Sequence, residues 1–145
     1  MAVTQIKHKP EPSMEYGDFS KPEETRSFEL GKVDLVSLGG ATFGRAVFQP
    51  GWRWSTHVKP IAKTRSCEAP HMNLHISGRL HIVMDDGTGR EFGPGELSLI
   101  PPGHDAWVVG NEPVVVIDIS GMENYAKRRP SDPQMLRTLP NLKGV

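Results

Sequence analysis

Four histidines, His57, His71, His75 and His104, fall in three separated stretches of the chain. Neutral imidazole is a common ligand of Zn, Fe, Ni, Cu and Mn, so three or four such rings brought together would hold a divalent transition metal ion. Other side chains suit a small-molecule ligand. Arg53 and Lys59 would hold an anionic group by charge-assisted hydrogen bonds, with Asn73 and Trp107 as further contacts. His104 is followed by Asp105, and an imidazole beside a carboxylate can serve as general acid or base. The simpler role for Asp105 is to cap the turn before it. Cys67 reads first as a small buried apolar residue, with thiolate ligand or nucleophile as the alternatives. A competing reading of the histidines is a set of polar interior residues bonded to one another and to water. Trp52, Trp54 and Trp107 line an aromatic pocket or pack in the core.

These groups must be positioned by short elements. Apolar stretches at 32–38, 41–49, 51–57, 71–76, 79–84, 96–100, 106–109 and 114–119 are rich in Val, Ile, Phe and Trp and are broken by Gly and Pro. Such stretches read as strands. Gly39-Gly40, Pro50-Gly51, Asp86-Gly87 and Pro94-Gly95 are turn dipeptides. No core segment shows a sustained 3.6-residue period. About eight antiparallel strands predict an all-β jelly-roll barrel over 27–121. A polar, proline-punctuated arm (1–26) precedes it. A locally basic tail (122–145) follows, with a helical turn around 134–139.

Alternation assigns faces. His71, Asn73 and His75 share one side of their strand, and Met72, Leu74 and Ile76 the other. A barrel with a functional lumen would turn the imidazole side inward and leave the apolar side to a second sheet or a subunit partner. Arg53, Ser55, His57 and Lys59 likewise share a side, so Arg53 is expected near the lumen if His57 is. The same parity turns His81 outward, opposite Leu80, Ile82 and Met84.

Gly95 leads through a short apolar strand to Pro101-Pro102-Gly103 and then to His104. This resembles the second motif of the cupin superfamily, where a glycine leads to Pro-x-Gly and then to a metal-binding histidine. The position usually held by that histidine is Ala106 here. Gly51, five residues and then His57 resemble the start of the first cupin motif, with Lys59 where a second histidine usually stands. Six residues separate His71 from Gly78, which puts His71 at the position of the family's usual glutamate. The resemblance covers about residues 43–121, and its specific part is 78–107. It implies a double-stranded β-helix of the small single-domain cupin type, with His57 and His71 at ligand positions; His104, two residues before the usual one, and His75, on the same strand face as His71, complete the candidate ligands. It implies a dioxygenase, isomerase or decarboxylase acting on a small polar or phenolic molecule. The alternative is a metal-free ligand-binding or sensor module, which Lys59 and Ala106 favour. A homodimer that packs terminal segments across a two-fold axis is also implied.

Seventeen basic residues balance seventeen acidic ones, which leaves no global field for nucleic acid. The single cysteine excludes an intramolecular disulfide and fits a reducing compartment. The first residues carry no apolar leader, and no apolar run approaches membrane-spanning length. A cytoplasmic protein without membrane, nucleic-acid or nucleotide-cofactor partners is expected.

Overall fold

The computed structural model describes residues 11–128. Nine strands lie among them: β1 Glu24–Phe28, β2 Gly31–Leu38, β3 Ala41–Phe48, β4 His71–Ser77, β5 Arg79–Met84, β6 Gly89–Phe92, β7 Leu97–Ile100, β8 His104–Val109 and β9 Val114–Ile119. They form two antiparallel sheets, one ordered β1-β2-β3-β9-β4-β7 and one ordered β6-β5-β8. This is the jelly roll expected from turn spacing.

The chain passes from the large sheet to the small one between β4 and β5 with only Gly78 between them. Gly78 has φ +72°, and a Cβ there would strike the backbone of Pro113 and Val114. Only glycine tolerates both conditions, which explains the sequence signal at this corner. Inside, Val33, Ala46, Phe48, Val114 and Val116 from the large sheet meet Leu80, Ile82, Ala106 and Val108 from the small one. Phe48 stacks on Trp52 at 3.9 Å, and Phe28 closes the same aromatic group.

Four elements differ from the sequence reading. β1 begins at Glu24, within the stretch read as an arm, and runs against β2. β6 carries one buried apolar residue, Phe92, too little to stand out as a strand. The stretch read as a strand over 51–57 instead folds into two single-turn helices, α1 Trp54–His57 and α2 Lys59–Ala62. Trp54, Val58 and Ile61 recur at helical spacing and are all buried, which outweighs the apparent alternation of Trp52 and Trp54. Pro60 sits in the first turn of α2, where its missing N–H costs nothing. The expected turn at 134–139 lies outside the described residues.

Candidate metal centre

Three buried side chains, Cys67, His71 and His104, offer ligand atoms that all lie within 4.8 Å of one another. Cys67 is placed by the loop after α2, which pairs with the start of β8. Its N–H donates to the His104 carbonyl at 2.8 Å, and its own carbonyl accepts from Gly103 N–H at 2.7 Å. The Ser66 hydroxyl pins the same loop to Asp85 at 2.9 Å. His71 opens β4 in the large sheet and His104 opens β8 in the small one. The two rings meet edge to face, 5.3 Å between centroids.

The hydrogen bonds fix the tautomers. His104 Nδ1 lies 2.8 Å from the Pro101 carbonyl, which can only accept, so the proton sits on Nδ1. His71 Nδ1 donates in the same way to Asp118 Oδ2 at 2.8 Å. With Nδ1 as donor, each ring turns its Nε2 toward the cluster, the pattern by which carboxylates and carbonyls orient metal-binding histidines. Cys67 Sγ is 3.6 Å from His71 Nε2. Tetrahedral zinc, with Zn–S about 2.3 Å and Zn–N about 2.0–2.1 Å, places S and N about 3.5 Å apart. Asp118 is fully buried, and its second oxygen accepts from Gly121 N–H at 2.6 Å. A Cβ at Gly121 would strike Pro70 O and both Asp118 oxygens, so glycine is required for that approach.

Burial acts against the charged form at two of the three side chains. Burial holds His104 below its ordinary value, against the opposing pull of its bond to Pro101. Burial also pushes the Cys67 thiol up to about 12. Without an ion the sulfur keeps its proton, and a bound cation has to displace it.

Two spaces flank the cluster. Within the barrel, a void of about 30 Å³ touches His71 and His104. Three residues that line it, Trp52, Trp54 and Asn73, carry buried polar atoms (Nε1, Nε1 and Oδ1) with no hydrogen-bond partner among the described residues. These unpartnered polar atoms in an otherwise largely apolar wall, and this volume, suit about one water molecule and exclude a larger ligand. On the other side, a cavity of about 540 Å³ opens between the helical insert and residues 120–128, with Thr64, Cys67, Glu68 and Asn124 in its wall. Trp54 and Tyr125 border both spaces. The buried Arg26 holds this C-terminal strap by donating to the carbonyls of Met122, Glu123 and Tyr125 at 3.0, 2.8 and 2.7 Å.

The residues singled out in the sequence are divided by the fold. His71 and His104 come together, and Asn73 joins them at the void. His75 is buried on the same face of β4 but bonds Ser98 Oγ at 2.9 Å and stacks on Phe92 at 5.0 Å. His57 ends α1, where its Nδ1 accepts from Arg53 N–H at 3.0 Å, because the helical turn carries it away from the lumen. Lys59 is exposed on α2 and borders neither space. Arg53, expected near the lumen, lies over the Trp107 ring at 4.2 Å and pairs with Asp105 at 3.7 Å. Trp107 faces outward and stacks on His81 at 4.5 Å. Asp105 accepts from the N–H groups of Ser55 and Ala106, a structural role. Cys67 was the member left open. Its spacing of four residues before His71 was the available signal.

No family model matches the chain, and no curated protein is similar enough to count as a relative. Solved structures do resemble it. A protein of unknown function from Rhizobium leguminosarum superposes with a TM-score of 0.55 at 18% identity, covering 75% of this chain and 97% of that one. The polyketide cyclase RemF from Streptomyces resistomycificus gives 0.53 at 16% identity, covering 77% and 81%. A cupin-like protein from Thermotoga maritima gives 0.49 at 18% identity, covering 74% and 84%. With two antiparallel sheets closed over a histidine-bearing lumen, the chain has a cupin-type fold.

Proposed function

We propose that this cupin-type barrel is a metal-dependent enzyme acting on a small molecule bound in the cavity beside Cys67. The ion is held by Cys67 Sγ, His71 Nε2 and His104 Nε2. The observation that carries this reading is the pair of anchored Nδ1–H groups, which aim two Nε2 lone pairs at a sulfur 3.6 Å from one of them. One thiolate and two imidazoles suit a borderline-soft ion, zinc in the first instance. Such an ion supplies a Lewis acid for an oxygen of the bound molecule. The residues supply the rest. Asp118 and Pro101 orient the two rings, and Tyr125 with Trp54 separates the cavity from the lumen. The lumen void has room for a water but not for a substrate, which leaves the 540 Å³ cavity as the binding space.

Lys59 and Ala106, which stand where the resemblance expects histidines, favour a second reading, a metal-free ligand-binding module in which Cys67 stays protonated. Metal content of purified protein separates the two. About one ion per chain is expected in the wild type after incubation with zinc, and a severe loss in Cys67→Ala, His71→Ala and His104→Ala. His57→Ala keeps its metal, because that ring lies on the surface turn of α1. A metal-free wild type after incubation with Zn, Fe, Ni, Cu and Mn salts supports the second reading and rejects the first.

A further inference from the structure

Of the buried polar side-chain atoms without a hydrogen-bond partner among the described residues, three belong to residues that line the 30 Å³ void: Trp52 Nε1, Trp54 Nε1 and Asn73 Oδ1. They come from three parts of the chain. Trp52 follows β3, with its ring stacked on Phe48 at 3.9 Å and its carbonyl accepting from Val108 N–H at 3.0 Å. Trp54 opens α1, and Asn73 lies on the inward face of β4 between His71 and His75. Each is at most 5% exposed, so bulk solvent satisfies none of them.

The chemistry of these atoms selects an occupant. An indole N–H can only donate, and an amide oxygen can only accept. A molecule that serves all three accepts two hydrogen bonds and donates one. An ammonium ion has no lone pair for the indoles. A halide ion or dioxygen has no proton for the amide oxygen. The volume shuts out anything much larger than water. Water meets every condition, and buried polar groups in folded proteins are commonly paired through such ordered molecules. The rest of the wall is largely apolar, with Leu80, Ile82, Ala106 and Val116.

We infer that the void holds one internal water, bound by Trp52, Trp54 and Asn73, and that this water closes the barrel side of the Cys67, His71 and His104 cluster. Both of its lone pairs go to the indoles. None is left for a cation, so this water is not a ligand of an ion in the cluster. The consequence rests on the metal reading above. The position that the three side chains leave open on the ion is filled from the cavity, where Cys67 forms part of the wall. It is not filled from the lumen, which His71 and His104 border. Trp54 and Tyr125, which border both spaces, are the partition between them. A molecule that reaches the ion is therefore limited in size by the 540 Å³ cavity and not by the void.

Two measurements on the full chain test this. In a crystal structure of the metal-free protein, one ordered water is expected in the void, within hydrogen-bond distance of Trp52 Nε1, Trp54 Nε1 and Asn73 Oδ1. An empty void, or a water that misses either indole, overturns the assignment. The second measurement loads cobalt(II) in place of zinc, because its visible absorption reports its ligands. Phenylimidazole is too large for the void and small enough for the cavity. It is expected to shift the cobalt bands of the wild type. Ala62→Phe, on the cavity wall, is expected to keep the cobalt and its spectrum and to lose the shift. Cobalt bands that respond to cyanide but not to phenylimidazole, or an equal shift in Ala62→Phe, overturn the access route. A protein that binds no cobalt rejects the metal reading instead, and the water is then judged by the metal-free crystal alone.

Discussion

At the scale of single residues, the two buried histidines of β4 differ in what holds their rings. His71 has one nitrogen fixed by Asp118 and the other facing Cys67. His75 spends Nε2 on Ser98 and its ring face on Phe92, and burial holds it below its ordinary value. Asp118→Asn puts an amide where two donors, His71 Nδ1–H and Gly121 N–H, both need an acceptor. One of them then faces another donor. Zinc affinity is expected to fall about 10- to 100-fold, measured by competition with a chromophoric chelator. His75→Ala is expected to do the reverse. Metal content holds, while stability drops by roughly 2–4 kcal/mol from the cavity and the unpaired Ser98 hydroxyl. Metal loss in His75→Ala, or full affinity in Asp118→Asn, would exchange the two roles. Alternation already placed His71, Asn73 and His75 on one inward face. Cys67 was not legible in that way, because its position comes from pairing with His104 rather than from any period in its own segment.

At the scale of elements, the strands that the sequence concealed are held by polar contacts. β1 carries one apolar residue, Phe28, and besides its backbone pairing with β2 it is tied to Asp34 through Thr25. Asp34 is buried, which by itself raises a carboxyl. The Thr25 hydroxyl at 2.7 Å, Arg45 at 3.2 Å and Lys32 outweigh that and hold it below its ordinary value. A carboxyl depressed in the folded state stabilises the fold above its unfolded value of about 3.9, and that stability is lost as pH falls through the folded value. Asp34→Asn is therefore expected to be less stable than wild type in urea at neutral pH. The gap should narrow as the solution is taken below about pH 4. A gap of the same size at both pH values would assign the loss to packing instead. α1 and α2 were hidden for a different reason. Two helical turns are too short for a period to register beside the Trp52–Trp54 alternation, and burial of Val58 and Ile61 decides between them only in three dimensions.

At the scale of the whole molecule, the barrel was readable because its corners require particular residues, Gly78 above all, whereas convergence of side chains is set by which strand ends meet. The ligand triad joins three parts of the fold: the insert through Cys67, the large sheet through His71 and the small sheet through His104. An ion held there would cross-link the two sheets at one end of the barrel and so favour the folded chain. By mass action, zinc at a hundred times its dissociation constant stabilises by about 2.7 kcal/mol. For a domain of this size that corresponds to a rise of roughly 5–10 °C in Tm. The rise should be reversed by a chelator and absent in Cys67→Ala and in His71→Ala, both measured against their own metal-free midpoints. The comparison within each variant matters, because removing a buried side chain lowers Tm whether or not an ion binds. A zinc-dependent rise of the same size in either variant would place the ion elsewhere on the chain.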